Sequence, residues 1–455
     1  MTRPLAGATR PATVQISNAT PHRRALQLLR KGTSLTLVVM VAGAGIGILA
    51  HLVIARVIGQ AEYGVYALML SWIAALAVVA QMGQDASVLR FLPTYVVRGQ
   101  WGEARGLRRA IGTWVFVTAL VIGVTGCIWV YWSRSTHSPA WSTTFYIGFA
   151  TLPVATLLDQ NSSFLRALKH AAASTVYSGV VRKLVLIGVV GVAVLAGAHA
   201  DAPLAALASA LAMFVAFVAS AWHLHRRFPN EAKSVTPCYA VRPWLVMGGK
   251  LGVMSVVIVA GRWLDVLILG AMVNPALLGA YYAAVQIAAI AWYGANAANV
   301  ILAPMLAERY DAHDFVGMEA VARRATWYSL LVALACTALF ALVGRWALGL
   351  FGSGFEVAYM PMLILLLAYC IGGLLGDAPL LLSMTRYQLA SSAFAAAGVV
   401  TNCLVAILLI PRFGATGAAL GALSSQCVWR ASSLWFAATR LRINPSLVPW
   451  HASRV

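Results

Sequence analysis

Arg262 and Asp265 stand three residues apart within an otherwise apolar stretch of a 455-residue chain. That spacing is close to one helical turn, so the guanidinium and the carboxylate can reach one another. A charged side chain in such a stretch costs about 3 kcal/mol unless it faces a cavity or a partner. Three chemistries fit the pair. The arginine, whose planar fork stays charged, can hold an anionic group steadied by the aspartate. The aspartate can exchange a coupling ion. The two can also form an internal ion pair that only fixes helix packing.

The same test singles out other positions. Arg182 and Lys183 interrupt a second apolar stretch, where they either line a cationic cavity wall or snorkel to a nearby surface. Lys250, one turn into its stretch, has the same two readings, with the surface favoured. Asp85 and Arg90 follow the second apolar run and make either a gate or an ordinary interfacial pair. Asp159, beside Gln160 and Asn161, and Asp377 come late in the fourth and tenth runs. Such carboxylates can carry a proton or a sodium ion, or else cap helices and bond to neighbours.

These charges must be positioned by membrane helices. Hydrophobic residues make up 61% of the chain and charged ones 10%, against about a quarter charged in soluble proteins. The apolar runs are about 20 residues long, as a helix crossing the hydrocarbon requires. Alternating ten-residue strands are absent, which excludes an outer-membrane barrel. The expected fold is an all-α polytopic membrane protein with 12 spans: 35–55, 63–83, 109–132, 144–165, 176–198, 203–223, 246–270, 276–303, 326–350, 359–383, 390–410 and 414–438. A polar, basic tail (1–34) precedes them, without a convincing signal-peptide cleavage site, and a second tail (439–455) follows. The proline-bearing basic linker 224–245 separates an N-terminal six-helix bundle (35–223) from a C-terminal one (246–438).

The net charge of +20 belongs to this topology. Twenty-four lysines and arginines fall in the tails and loops of one side and four (Arg56, Arg134, Arg345, Arg412) on the other. The positive-inside rule then puts both termini in the cytoplasm and argues against a nucleic-acid partner. Trp129, Trp132 and Trp141 cluster where spans three and four emerge on the far side, as interfacial aromatics do. Gly43, Gly45 and Gly47 lie inside a span and read as a close-packing surface rather than a nucleotide loop. Six scattered cysteines have neither CxxC nor metal-type spacing and read as free thiols.

The halves are also related in sequence. Gly64-Val65-Tyr66 recurs 215 positions on as Gly279-Ala280-Tyr281, Tyr95 as Tyr310, Gly102 as Gly317, and Arg108-Arg109-Ala110 as Arg323-Arg324-Ala325. With six spans each, both halves enter the membrane in the same direction, so their axis runs along its normal with a path between them. At the same offset Arg262 and Asp265 correspond to Gly47 and Ala50, so that charge belongs to one half.

Arg56-Val-Ile-Gly59-Gln-Ala-Glu-Tyr63-Gly64-Val-Tyr66, Arg90-Phe91-Leu-Pro93-Thr-Tyr95, and Asp265-Val-Leu-Ile-Leu-Gly270 with Leu278-Gly279-Ala-Tyr281 resemble signatures of the polysaccharide transporter family. The likeness covers residues 30–440 and places the chain in a superfamily that also holds multidrug antiporters and lipid II flippases. It implies a V-shaped pair of bundles around a cationic cavity, in the inner membrane of a bacterium. It implies alternating access that carries an undecaprenyl-diphosphate-linked oligosaccharide, an O-antigen or exopolysaccharide unit, from the cytoplasmic to the periplasmic leaflet. Arg262, Arg182, Lys183 and Lys250 are then the expected cavity cations, because a diphosphate leaving water needs charged donors. Asp265, Asp159, Asp377, Asp85 and Arg90 are the expected coupling or gating residues.

No cofactor or metal is expected beyond a proton or sodium gradient. A polysaccharide polymerase and a chain-length regulator are the expected partners, with the bilayer itself. Rival readings are a lipid II flippase, commonly built with more spans, and a cation-coupled multidrug antiporter, which would favour an acidic cavity. An enzyme of polysaccharide assembly would need a large exterior loop and a catalytic constellation; the exterior loops here are short and carry none.

Overall fold

The computed structural model describes residues 19–385 and 387–447, with side chains from Val38 onward except at 250–251, 253–254, 258–260, 297–298, 300–301 and 303–304. The chain is an all-α polytopic membrane protein. The first helix, α1 (Ala19–Ile58), runs back beyond the predicted start of its span. Gly59, at φ 81°, turns the chain into α2 (Gln60–Gln81). Met82 and Gly83, both left-handed, turn it again into α3 (Gln84–Val97), which carries Asp85 and Arg90. Then follow α4 (Trp101–Ser133) and α5 (Pro139–Ala167), whose start is set by Ser138 accepting from Trp141 N with proline at the first helical position.

Span five comprises α6 (Ala171–Thr175), a π turn (Val176–Val181) and α7 (Arg182–Leu195). Asp201 caps α8 (Ala202–Arg227) by accepting from Leu204 N. The linker holds a short α9 (Asn230–Ser234) and then lies along α4, where Cys238 N donates to Gly102 O and Arg105 Nη1 to Val235 O. Gly102 and Gly106 allow the approach, since a Cβ on Gly106 would run into the Cys238 carbonyl. Cys238 is exposed.

Span seven is divided. The first part is α10 (Val241–Ala260), the second α11 (Leu264–Met272), and a turn at residues 261–263 separates them. Asn274 caps α12 (Pro275–Asp311) and Asp314 caps α13 (Phe315–Gly349). Span ten is divided too, into α14 (Tyr359–Leu375) and α15 (Ala378–Ser383), with Gly376 at φ 76° between them. The chain ends with α16 (Gln388–Phe413) and α17 (Ala415–Phe436).

Among the described residues nine segments are long and apolar enough to cross a bilayer. The three predicted spans outside that set are α5, the α10–α11 pair and α17. For two of them composition is the reason, since α5 carries Asp159-Gln160-Asn161 and α17 carries Gln426 and Arg430; much of α10 lies outside the described side chains.

The packing gives the V shape. At the end bearing the Gly59 and Asn274 turns, one apolar core takes in both halves, from Tyr63 and Phe145 to Tyr281, Phe351 and Met362. At the basic end the core splits in two. One part, around Leu92, Leu107 and Phe164, holds the first half together with Trp244; the other, around Leu306, Met318 and Leu381, lies wholly in the second. Trp244 crosses because the start of α10 leans on α3: its carbonyl accepts from Ser87 Oγ at 2.9 Å, and its indole donates to Tyr95 OH at 2.9 Å.

Candidate functional site

Three of the interior charges stand where a helix is interrupted. Arg182 follows the π turn of span five, Arg262 lies in the break of span seven, and Asp377 follows the break of span ten. Irregular backbone at membrane depth is tolerated where it is buried in protein or lines a cavity, and π turns are frequent at functional sites.

In the first half, helix begins at Ala171, eleven residues before Arg182. At 1.5 Å per residue that places Arg182 roughly 16 Å from the start of the helix. Arg182 is half-buried, and its charge bears on His51, Tyr66, Asp159 and Tyr282. Tyr282 belongs to the second half, so the charge of Arg182 reaches across the seam between halves. Lys183 points elsewhere: its ammonium donates to Gly43 O at 2.8 Å. A side chain on Gly47 would collide with it, which explains one of the three span-one glycines. Lys183 thus bolts α7 to α1.

Asp159 is exposed, between the buried Gln160 and a half-buried Asn161 that donates to Ser220 Oγ at 3.2 Å. Above this wall, towards the shared core, His51 meets Tyr63 through Nδ1 at 3.3 Å and faces Tyr282 edge-on, ring centres 5.5 Å apart. These three rings roof the seam.

In the second half the expected Arg262–Asp265 pair is not made. Asp265 is buried and accepts from Tyr281 OH at 2.6 Å and Val266 N at 2.9 Å. The reason is the helix break, which removes the one-turn relation between the two residues. Arg262 instead lies over the Trp292 ring, 4.3 Å from its centre, and remains exposed. Its charge, like that of Arg430, bears on Tyr369.

Arg430 completes the arrangement. Its Nη1 donates to Gly372 O at 3.1 Å and Gly376 O at 3.0 Å, the carbonyls left open where α14 ends. Its Nε donates to Gln426 Oε1 at 3.3 Å, and its guanidinium lies 3.8 Å from Asp377. Asp377 also accepts from Asn299 Nδ2. Beside this pair is a cavity of about 40 Å3 bordered by Trp292, Asn296, Ser329 and Tyr369.

Asp85 and Arg90 make no ion pair among the described residues. Arg90 reaches Met247 Sδ, at 3.6 Å across the α3–α10 contact, because α10 leans on that face. The side chain of Lys250 lies outside the described residues. Sequence reasoning missed Arg430, Trp292 and His51. Arg430 carries a signal in the sequence, being a lone cation in an apolar run.

The fold and these interior charges can be set beside known proteins. A multidrug resistance transporter of the MATE family and MOP superfamily, in an inward-facing conformation, superposes with a TM-score of 0.69 at 13% identity, over 90% of this chain and 98% of that one. The lipid II flippase MurJ, in an inward closed conformation, gives 0.68 at 11% identity, over 89% and 87%. A MOP superfamily transporter from Pyrococcus furiosus, described as having a binding pocket of reversed polarity, gives 0.64 at 13% identity, over 90% and 96%. At these identities the likeness is one of fold. Among curated protein sequences no significant match is found. The profile of one sequence family, described as polysaccharide biosynthesis protein, matches residues 29–309. That stretch holds the first half, the divided seventh span and Trp292 of α12, and the chain belongs to the polysaccharide biosynthesis protein family.

Proposed function

We propose that the chain is a flippase for undecaprenyl-diphosphate-linked oligosaccharide, working by alternating access between its halves. The observation that carries this reading is the pair of cations at helix interruptions of opposite halves, Arg182 after the π turn and Arg262 over the Trp292 ring, neither bonded to a carboxylate among the described residues. A diphosphate exchanging water for protein needs such donors. Family membership supports a glycan cargo. A multidrug antiporter would instead favour a cavity ruled by free carboxylates, whereas Asp377 is matched by Arg430, Asp265 by Tyr281, and the exposed Asp159 lies within the field of Arg182. A lipid II flippase is the nearest alternative, since its cargo shares the diphosphate.

The basic end is cytoplasmic by the charge bias, in a bacterial inner membrane. One core at the far end and two at the basic end support a conformation that parts towards the cytoplasm, bridged there where α10 leans on α3. Asp159, exposed beside Arg182, is the first choice for coupling to protons or sodium.

Purified protein in vesicles carrying fluorescent lipid-linked oligosaccharide tests the reading. Protein-dependent loss of fluorescence to a membrane-impermeant quencher is expected. No acceleration over empty vesicles, with or without an imposed proton or sodium gradient, overturns it.

A further inference from the structure

The two halves offer different chemistry to one cargo. Arg182 and Arg262 have no carboxylate partner among the described residues. The Arg430 guanidinium is oriented by Gly372, Gly376 and Gln426 and balanced by Asp377, leaving Nη2 without a partner among the described residues. A diphosphate placed here would meet the Asp377 carboxylate. A row of hydroxyls would meet both signs of partner: guanidinium and amide donors, a carboxylate acceptor, and the hydroxyls of Ser329 and Tyr369. Trp292 adds an aromatic surface at the border, already carrying Arg262 on its ring.

Size narrows the ligand further. A water-sized group needs roughly 10–15 Å3. A cavity of about 40 Å3 therefore admits about three such groups, which matches one edge of a sugar ring and not a whole sugar.

We propose that this cavity is a sugar-recognition subsite, binding the hydroxyl edge of a residue of the glycan, while Arg182 and Arg262 hold the diphosphate. The halves thus divide the headgroup between them. Specificity for the glycan resides in α12, α13, α14 and α17, and the first half is indifferent to it. The inference rests on the lipid-linked glycan reading and assigns its parts.

Binding of two probes to the full chain in nanodiscs decides the matter: bare undecaprenyl diphosphate, and the lipid-linked oligosaccharide purified from the source organism. The wild type is expected to prefer the glycan-bearing probe. Asn296→Leu and Tyr369→Phe are expected to weaken that probe about tenfold, equivalent to about 1.4 kcal/mol, and to leave the bare one unchanged. Retained binding of the bare lipid also shows that the variants are folded. Arg182→Gln is expected to weaken both probes alike. Equal wild-type affinity for the two, or variants that lose both alike or neither, overturns the subsite and leaves the flippase reading standing. A wild type that binds neither probe defeats that reading itself.

Discussion

Gly64 and Gly279, equivalent residues of the two repeats, touch. A Cβ added to either would come within 3.0 Å of the other's backbone nitrogen, and each would also strike a carbonyl of the opposing helix, Pro275 or Gln60. Two copies of one position can meet only on the axis that relates the halves, so α2 and α12 cross there. Around the crossing, Arg56 Nη1 donates to Leu350 O and Gln60 Nε2 to Gly354 O, each at 3.1 Å. All of these join the first half to the second at the end where the core is shared.

Replacing Gly64 by leucine is expected to force this crossing apart. Overpacking of this kind costs about 1–3 kcal/mol. Thermal unfolding should shift downward, and a cysteine placed at Gln60 should become reactive to an impermeant thiol reagent. Gly188→Ala, where an added Cβ meets nothing within 4 Å, should change neither.

Tyr281→Phe leaves the buried Asp265 carboxylate short of a donor. The expected cost is about 1–3 kcal/mol, the penalty of an unsatisfied buried acceptor. Denaturation of the purified variant measures it, and adding Asp265→Leu to Tyr281→Phe should recover part of the loss.

Lys183 and Arg182, adjacent in sequence, should separate in experiment. Lys183→Met loses the bond to Gly43 and is expected to lower stability by about 1 kcal/mol while leaving the affinity for undecaprenyl diphosphate near wild type. Arg182→Gln should do the reverse. Paired melting and binding curves read both effects.

Arg430→Met strands Asp377 and opens the α14 carbonyls. Breaking a buried ion pair from one side costs about 3 kcal/mol, and a fifth or so of each of these side chains remains exposed, 21% and 23%, so the loss should fall below that. Asp377→Leu combined with Arg430→Met should be more stable than Arg430→Met alone and still fail to discriminate the glycan. A thermal double-mutant cycle resolves the coupling.

The sequence announced the helices, their repeat and most of the interior charges, because a lone cation in twenty apolar residues stands out whatever its neighbours do. It did not announce where those charges point. The turn at Gly261-Arg262-Trp263 leaves no mark in an apolar run, yet it decides that Arg262 meets Trp292 rather than Asp265. The π turn before Arg182 is equally silent: Val-Tyr-Ser-Gly-Val-Val would sit as readily in a regular helix. The fate of Lys183 depends on two glycines 140 and 136 positions away, a relation of packing that spacing alone cannot express. Arg430 stands out in the sequence as plainly as the other cations, but its role does not. Its partners, the open carbonyls of α14, exist only because span ten breaks at Gly376.

The most direct measurement is the initial rate at which fluorescent lipid-linked oligosaccharide crosses vesicles containing wild type, Arg182→Gln or Arg262→Gln, with equal folded protein in each. Each substitution removes a cation at a helix interruption, and each rate should fall at least about tenfold, equivalent to about 1.4 kcal/mol. Wild-type rates in both variants would mean that neither guanidinium meets the cargo, and that the passage between the halves serves something other than a diphosphate.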